Sequence, residues 1–102
     1  MLQAGPLERP LVTIYIATQN RPQMLERAVL SCINQTYSPL EVIVVDDGSA
    51  EVNAQENQQL LADYPQVKYI RLPQPSGAPV ARNTAINLAQ GEFITGLDDD
   101  DE

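Results

Sequence analysis

At 102 residues, 43% hydrophobic and 20% charged, the chain has the composition of one globular domain with room for a single modest core. It has no apolar run near the roughly 18 residues that a membrane-spanning helix needs, no histidine for a Ser-His-Asp or Cys-His mechanism, and a single cysteine, Cys32, so no internal disulfide. The net charge is −8, but five of the fourteen acids form the run Asp98 to Glu102, and the six Lys and Arg are scattered singly, which excludes nucleic acid as a partner.

The opening residues, MLQAGPLERP, lack a basic start followed by an apolar stretch, so residues 1–10 read as a flexible leader and a cytoplasmic location is expected. Residues 11–102 form the domain. Val12, Ile14 and Ile16 alternate with Thr13 and Tyr15, which predicts a first strand ending near Ala17. Pro22 suits the first turn of a helix, and Leu25, Ala28, Val29, Cys32 and Ile33 recur at helical spacing on one face. Cys32 on that stripe reads as core. Ser38 and Pro39 break the chain before Val42 to Val45, a continuous apolar run of the kind a buried parallel strand shows. Ser49 is placed to cap a second, largely exposed helix from about Glu51 to Asp63, with Val52, Leu60 and Leu61 as its apolar positions. Val67 to Leu72 predicts a third strand, and Pro73 to Gly77 an irregular connection. A third helix starts at Pro79 with a narrow face of Ala81, Ala85, Leu88 and Ala89, ended by Gly91. Phe93 to Leu97 is a fourth strand running into the acids.

The order β-α-β-α-β-α-β predicts an α/β fold: an open, mostly parallel sheet with helices on both faces, as in nucleotide-binding domains. Ligands bind such sheets at the carboxyl ends of the strands, where this chain carries Thr18 to Arg21, Asp46 to Ser49, and Asp98 to Asp100. A run of acids at a terminus is most simply a solvated tail; one that begins where a parallel strand ends instead offers hard oxygen ligands to Mg²⁺ or Mn²⁺ beside nucleotide phosphates. Of Asp46 and Asp47, one can start a tight turn with Gly48 while the other faces the site. Arg82, one turn into the third helix, is either a solvated helix arginine or a guanidinium placed near a diphosphate. Gly77 and Ala78 are small where the chain must approach a ligand or the sheet. No glycine-rich phosphate fingerprint follows the first strand.

From about Pro10 to its end the chain resembles family 2 glycosyltransferases of the GT-A fold. The segments that carry the resemblance are VTIYIATQNR (Val12 to Arg21), SCINQTY (Ser31 to Tyr37), EVIVVDDGS (Glu41 to Ser49), GAPVARN (Gly77 to Asn83) and AQGEFITGLDDDD (Ala89 to Asp101). Each is weak alone, and five in order are specific. The ending looks most like transferases that build bacterial exopolysaccharide, capsule or lipopolysaccharide, including those of colanic-acid type. The resemblance implies that Asp98 and Asp100 fall on a DxD-type motif, Asp100 ligating the metal and Asp98 or Asp99 reaching the ribose or the metal's water shell. It implies that Asp47, with Asp46 beside it, contacts the base, and that Ala17, Thr18, Asn20 and Arg21 line the base pocket. The family usually shows Pro-Thr-aromatic-Asn in that loop. Here Ala17, Thr18, Gln19 and Asn20 stand there, so aromatic stacking on the base is lost.

The implied donor is a UDP- or GDP-linked sugar and the implied acceptor a saccharide or lipid-linked saccharide, with the full-length enzyme at the cytoplasmic face of the membrane. Family members continue well beyond the acidic motif, so no residue here is assigned as general base, and the chain is expected not to catalyse transfer alone. Its uncovered sheet surface is expected to drive homodimerisation. A non-catalytic nucleotide-binding or regulatory module would share the fold and the acids. A receiver-like domain would need an acidic pair after the first strand, and a nucleotidyltransferase a glycine-rich basic loop there; the chain has neither.

Overall fold

A computed structural model describes residues 10–34, 40–91 and 93–98. Residues 1–9 of the leader expected at 1–10, the break at Ser38 and Pro39, and the acids Asp99 to Glu102 lie outside the described residues. The elements alternate in chain order: β1 (Val12–Thr18), α1 (Pro22–Ile33), β2 (Leu40–Asp46), α2 (Glu51–Leu61), β3 (Val67–Arg71), α3 (Ala78–Leu88) and β4 (Phe93–Asp98). All pairings are parallel and the strand order is β3-β2-β1-β4. The chain steps outward from β1 to β3, then returns across the sheet through α3 to place β4 on the other side of β1. Right-handed crossovers taken in opposite directions put helices on opposite faces. The expected α/β architecture is therefore the observed one.

The period-two alternation of the strands divides the core. Ile14, Ile16, Val42 and Val44 face one way and pack with Leu25, Ala28, Val29 and Cys32 of α1 and Leu61 of α2. Tyr15, Ala17, Ile43 and Val45 face the other way, against Ala81 and Ala85 of α3. Leu25, Ala28, Val29 and Cys32 of the α1 stripe are buried as their spacing predicts, and Ile33 is partly buried against them. On α2 the buried positions are Ala54, Asn57 and Leu61, while Val52 lies in solvent. On α3 only Ala81 and Ala85 are buried; Leu88, expected on the packed face, is exposed.

Gly91 does not stop α3. The last helical turn closes on the Ala89 amide, which donates to the carbonyls of Ala85 and Ile86. Gly91 is needed two residues later, where the backbone passes so close to β1 that a Cβ would lie 2.5 Å from Thr13 Oγ1 and 2.8 Å from the Leu11 carbonyl oxygen. There the Gly91 amide donates to Thr13 Oγ1 (3.1 Å), the Thr13 hydroxyl donates to Glu41 Oε1 (2.7 Å), and the Gln90 amide donates to the same oxygen (3.0 Å). Lys68 Nζ completes the group at 2.8 Å from Glu41 Oε2. This polar network ties the α3–β4 connection to the amino end of the sheet. Among the described residues no helix is long and apolar enough to cross a membrane.

Candidate functional site

The strand order reverses at β1, so the crevice between the carboxyl ends of β1 and β4 is the topological switch point at which open α/β sheets bind ligands. The register fixes what meets there. Ala17 pairs with Asp98, Thr18 with Asp46, and Asp46 with Arg71. Three of the expected polar clusters thus share one edge of the sheet. Asp99 and Asp100 lie outside the described residues, and of Asp98 the backbone position at the end of β4 is what is described.

Asp46 and Asp47 divide their labour. Asp46 is fully buried (0% exposed) and its carboxylate is engaged at both oxygens. Oδ1 accepts the Ser49 amide at 2.9 Å, which closes the turn; Oδ2 accepts Asn57 Nδ2 at 3.2 Å and the Tyr69 hydroxyl. Burial, followed by the hydrogen bond to Asp46, pushes the Tyr69 phenol up from 10.0 to about 12. The Asp46 carbonyl accepts the amides of Gly48 (2.9 Å) and Leu72 (2.8 Å). Asp46 is the turn residue of the pair, and Asp47 is the more exposed of the two.

Asp47 points away from the core, with its amide held by the Thr18 carbonyl at 2.8 Å. Its carboxylate takes two backbone donors from the connection that precedes α3, Ser76 N at 2.6 Å and Gly77 N at 3.1 Å. A carboxylate offers about four lone-pair positions, so two such bonds leave acceptor capacity for a third donor. Gly77 has φ 98, a left-handed value that glycine adopts without strain and that turns its amide back toward Asp47.

Ser49 does not cap α2 as expected. The N-cap residue is Ala50, without a side-chain cap of its own. Instead Asn20, from the loop after β1, reaches across: its Oδ1 accepts the Ala50 amide (2.8 Å) and Asn53 Nδ2 (2.9 Å), while its own amide donates to Ser49 Oγ (2.7 Å). Asn20 has φ 55, a left-handed conformation that asparagine tolerates better than most residues. Two loops are laced together by one side chain. Arg21 is the N-cap of α1, its carbonyl accepting the Leu25 amide (2.9 Å), and Thr18 is buried beneath the loop. Ala17 is half-buried on the α3 side of the sheet. Arg82 is exposed on α3.

Four participants escaped the sequence reading: Asn57, Tyr69, Arg71 and the Ser76–Gly77 backbone. Arg71 donates from Nη2 to the Ser49 carbonyl at 2.7 Å, bracing the turn from the β3 side. Ala54, Asn57 and Leu61 recur at helical spacing, which marks Asn57 as facing inward despite its polarity. Tyr69 shares a strand face with Val67. Among the described residues no group of three potential metal ligands gathers.

A family model described as glycosyl transferase family 2 matches residues 13–102. The glycosyl transferase WcaA of Escherichia coli (strain K12), named for colanic acid biosynthesis, is 46% identical over 93 residues, covering 91% of this chain and 33% of that protein. A Campylobacter jejuni protein named GalNAc(5)-diNAcBac-PP-undecaprenol beta-1,3-glucosyltransferase is 37% identical, covering 91% of this chain and 30% of that one. A mannosyltransferase from Pyrobaculum calidifontis, solved with GDP-mannose and Mn²⁺, superposes with a TM-score of 0.81 at 29% identity over 93% of this chain and 29% of its own. The chain spans between about a tenth and two fifths of the length of the curated relatives it matches.

Proposed function

Since the chain belongs to glycosyl transferase family 2, we propose that it is the donor-binding half of an inverting enzyme of bacterial polysaccharide synthesis, taking a UDP- or GDP-linked sugar to a hydroxyl of a saccharide or lipid-linked saccharide acceptor at the cytoplasmic face of the membrane. The observation that carries this reading is the switch point itself, where the register puts Asp98 beside Ala17 and Asp46 beside Thr18. The named relatives and the GDP-mannose and Mn²⁺ of the superposed mannosyltransferase support it.

Each residue then has a task. Asp47 accepts a hydrogen bond from a ring N–H of the base, a donor that uracil and guanine both present. Ala17, Thr18, Asn20 and Arg21 form the wall on which the base rests, with Asn20 fixing that wall to α2. Asp46 stays inside as the support of Asp47. Asp98 and Asp99 would reach the ribose and the metal's water shell, Asp98 and Asp100 would hold Mg²⁺ or Mn²⁺ through a DxD-type motif, and Arg82 would serve the diphosphate. A divalent cation so held would neutralise charge on the departing nucleoside diphosphate. None of these residues serves as the general base that deprotonates the acceptor, so the chain alone binds donor without transferring it.

Thermal unfolding in the presence of UDP, GDP, ADP or CDP, each with and without Mn²⁺, tests the reading. Ligand at about ten times its Kd stabilises by about 1.4 kcal/mol, which for a domain of this size raises Tm by roughly 4 to 8 °C per kcal/mol. A rise with UDP or GDP that needs Mn²⁺ is expected. Equal shifts with all four nucleotides, or none, would contradict it.

A further inference from the structure

Several departures from ordinary protein chemistry crowd around the Asp46 turn. A carboxylate is fully buried there, although removing such a charge from water costs several kcal/mol unless it is well paired. A non-glycine residue, Asn20, takes left-handed backbone at φ 55. Asn57, itself fully buried, leaves Oδ1 without a hydrogen-bond partner, and the opposite amide orientation would set that oxygen against the Asp46 carboxylate. A turn alone needs none of this, since an exposed Asn or Ser would close it. Such costs gather where a side chain must be aimed.

What they aim is Asp47. Its amide is fixed to Thr18, the next amide to the Asp46 carbonyl, and the Ser49 amide to Asp46 Oδ1. The Asp46 carboxylate holds Ser49 when its plane is turned so that one oxygen meets the Ser49 amide. Tyr69 from β3 and Asn57 from α2, both on Oδ2, set that rotation. Resting on the nucleotide-binding reading, we propose that Tyr69 is a positioning residue for the donor nucleotide: its hydroxyl acts through Asp46 to fix the direction of the Asp47 carboxylate, and with it the Ser76–Gly77 connection that Asp47 holds. A ring at position 69 fills the core; the hydroxyl is there for the aim.

Tyr69→Phe keeps the ring and removes the hydroxyl, so the core remains packed. Two readouts on this 102-residue chain decide the matter. The first needs no ligand: in amide NMR spectra Tyr69→Phe should move the Ser76 and Gly77 resonances toward their positions in Asp47→Ala, while the amides of Val42 to Val45 stay in place as the sign of an intact sheet. The second is a double-mutant cycle in UDP and GDP affinity with Mn²⁺. Tyr69→Phe should weaken binding roughly five- to tenfold in the native background, the worth of one hydrogen bond, and should cost nothing further once Asp47→Ala is present. Unmoved Ser76 and Gly77 resonances would overturn the proposal, as would an affinity loss that persists in full without Asp47. If the unaltered chain binds neither nucleotide, the functional reading fails while the resonance positions still decide what Tyr69 does.

Discussion

Gly48 follows the two aspartates with φ 72 and no room for a side chain: a Cβ there would lie 2.5 Å from the Gln74 carbonyl carbon and 2.7 Å from Pro75 Cδ, with Pro75 N closer still. The connection that Asp47 holds is thus packed directly on the turn. Gly48→Ala combines left-handed strain of about 1–2 kcal/mol with displacement of that backbone, and urea denaturation should show a loss of at least about 2 kcal/mol. Tyr69 makes a second prediction at this scale. Its folded-state phenol is raised to about 12 against 10.0 unfolded, by burial first and by Asp46 next. The stabilisation is present in full below pH 10 and is lost as pH rises from 10 toward 12, because the unfolded chain deprotonates first. Stability measured across that window should fall for the native chain and fall less for Tyr69→Phe. Asp46, Asp47 and Gly48 were legible as a turn after a buried strand. Tyr69 was not, because an aromatic on an alternating strand face gives no sign of what its hydroxyl meets 23 residues back.

The elements were read correctly where one period dominates. The α1 stripe and the apolar run of β2 bury what they promise. The reading failed where an element takes its ends from elsewhere. Ser49 has the chemistry of a cap, yet the Ala50 amide is satisfied by Asn20, 30 residues away, and Ser49 is occupied by the Asn20 amide. Asn20→Ala should therefore destabilise α2 rather than its own loop, by about 1 kcal/mol, seen as faster hydrogen exchange in the first turn of α2. Gly91 looked like a helix stop and is a point of close approach to Thr13. The network behind it predicts acid behaviour. Burial raises the Glu41 carboxyl, but hydrogen bonds from Lys68, Gln90 and Thr13 and the Lys68 charge outweigh it, so the group titrates below its ordinary 4.5. Its stabilising effect is complete above pH 4.5 and is lost as pH falls below that value. Glu41→Gln should flatten the acid limb of the stability profile. An acid limb identical to that of the native chain would show that Glu41 does not carry it.

At the scale of the molecule the sheet is unevenly covered. α1 and α2 share one face, whereas α3 covers the other with two alanines. Phe93 (59% exposed) and Ile94 (39%) of β4 lie in solvent, as do Val80, Ile86 and Leu88 of α3. An apolar strand at a sheet edge is prone to pair with another. We propose that the chain self-associates through this side, and light scattering should show an apparent mass that rises with concentration; a constant monomer mass would contradict it. The open parallel sheet followed from the alternation of patterns, and the carboxyl edge followed from the fold; the strand order did not follow from either. What the sequence could not supply was the pairing of oxygens with donors, since the side-chain bonds that Asn20, Asp46 and Asp47 make at that edge, the turn itself apart, span 11 to 33 residues. The central claim is that this edge binds a nucleoside diphosphate with a divalent cation. Isothermal titration of the chain with UDP and GDP, with and without Mn²⁺, and again on Asp100→Ala and Asp47→Ala, tests it most directly. The account predicts Mn²⁺-dependent binding of one of them, abolished by Asp100→Ala and weakened by Asp47→Ala. Binding that is indifferent to Mn²⁺ and to both substitutions would contradict it.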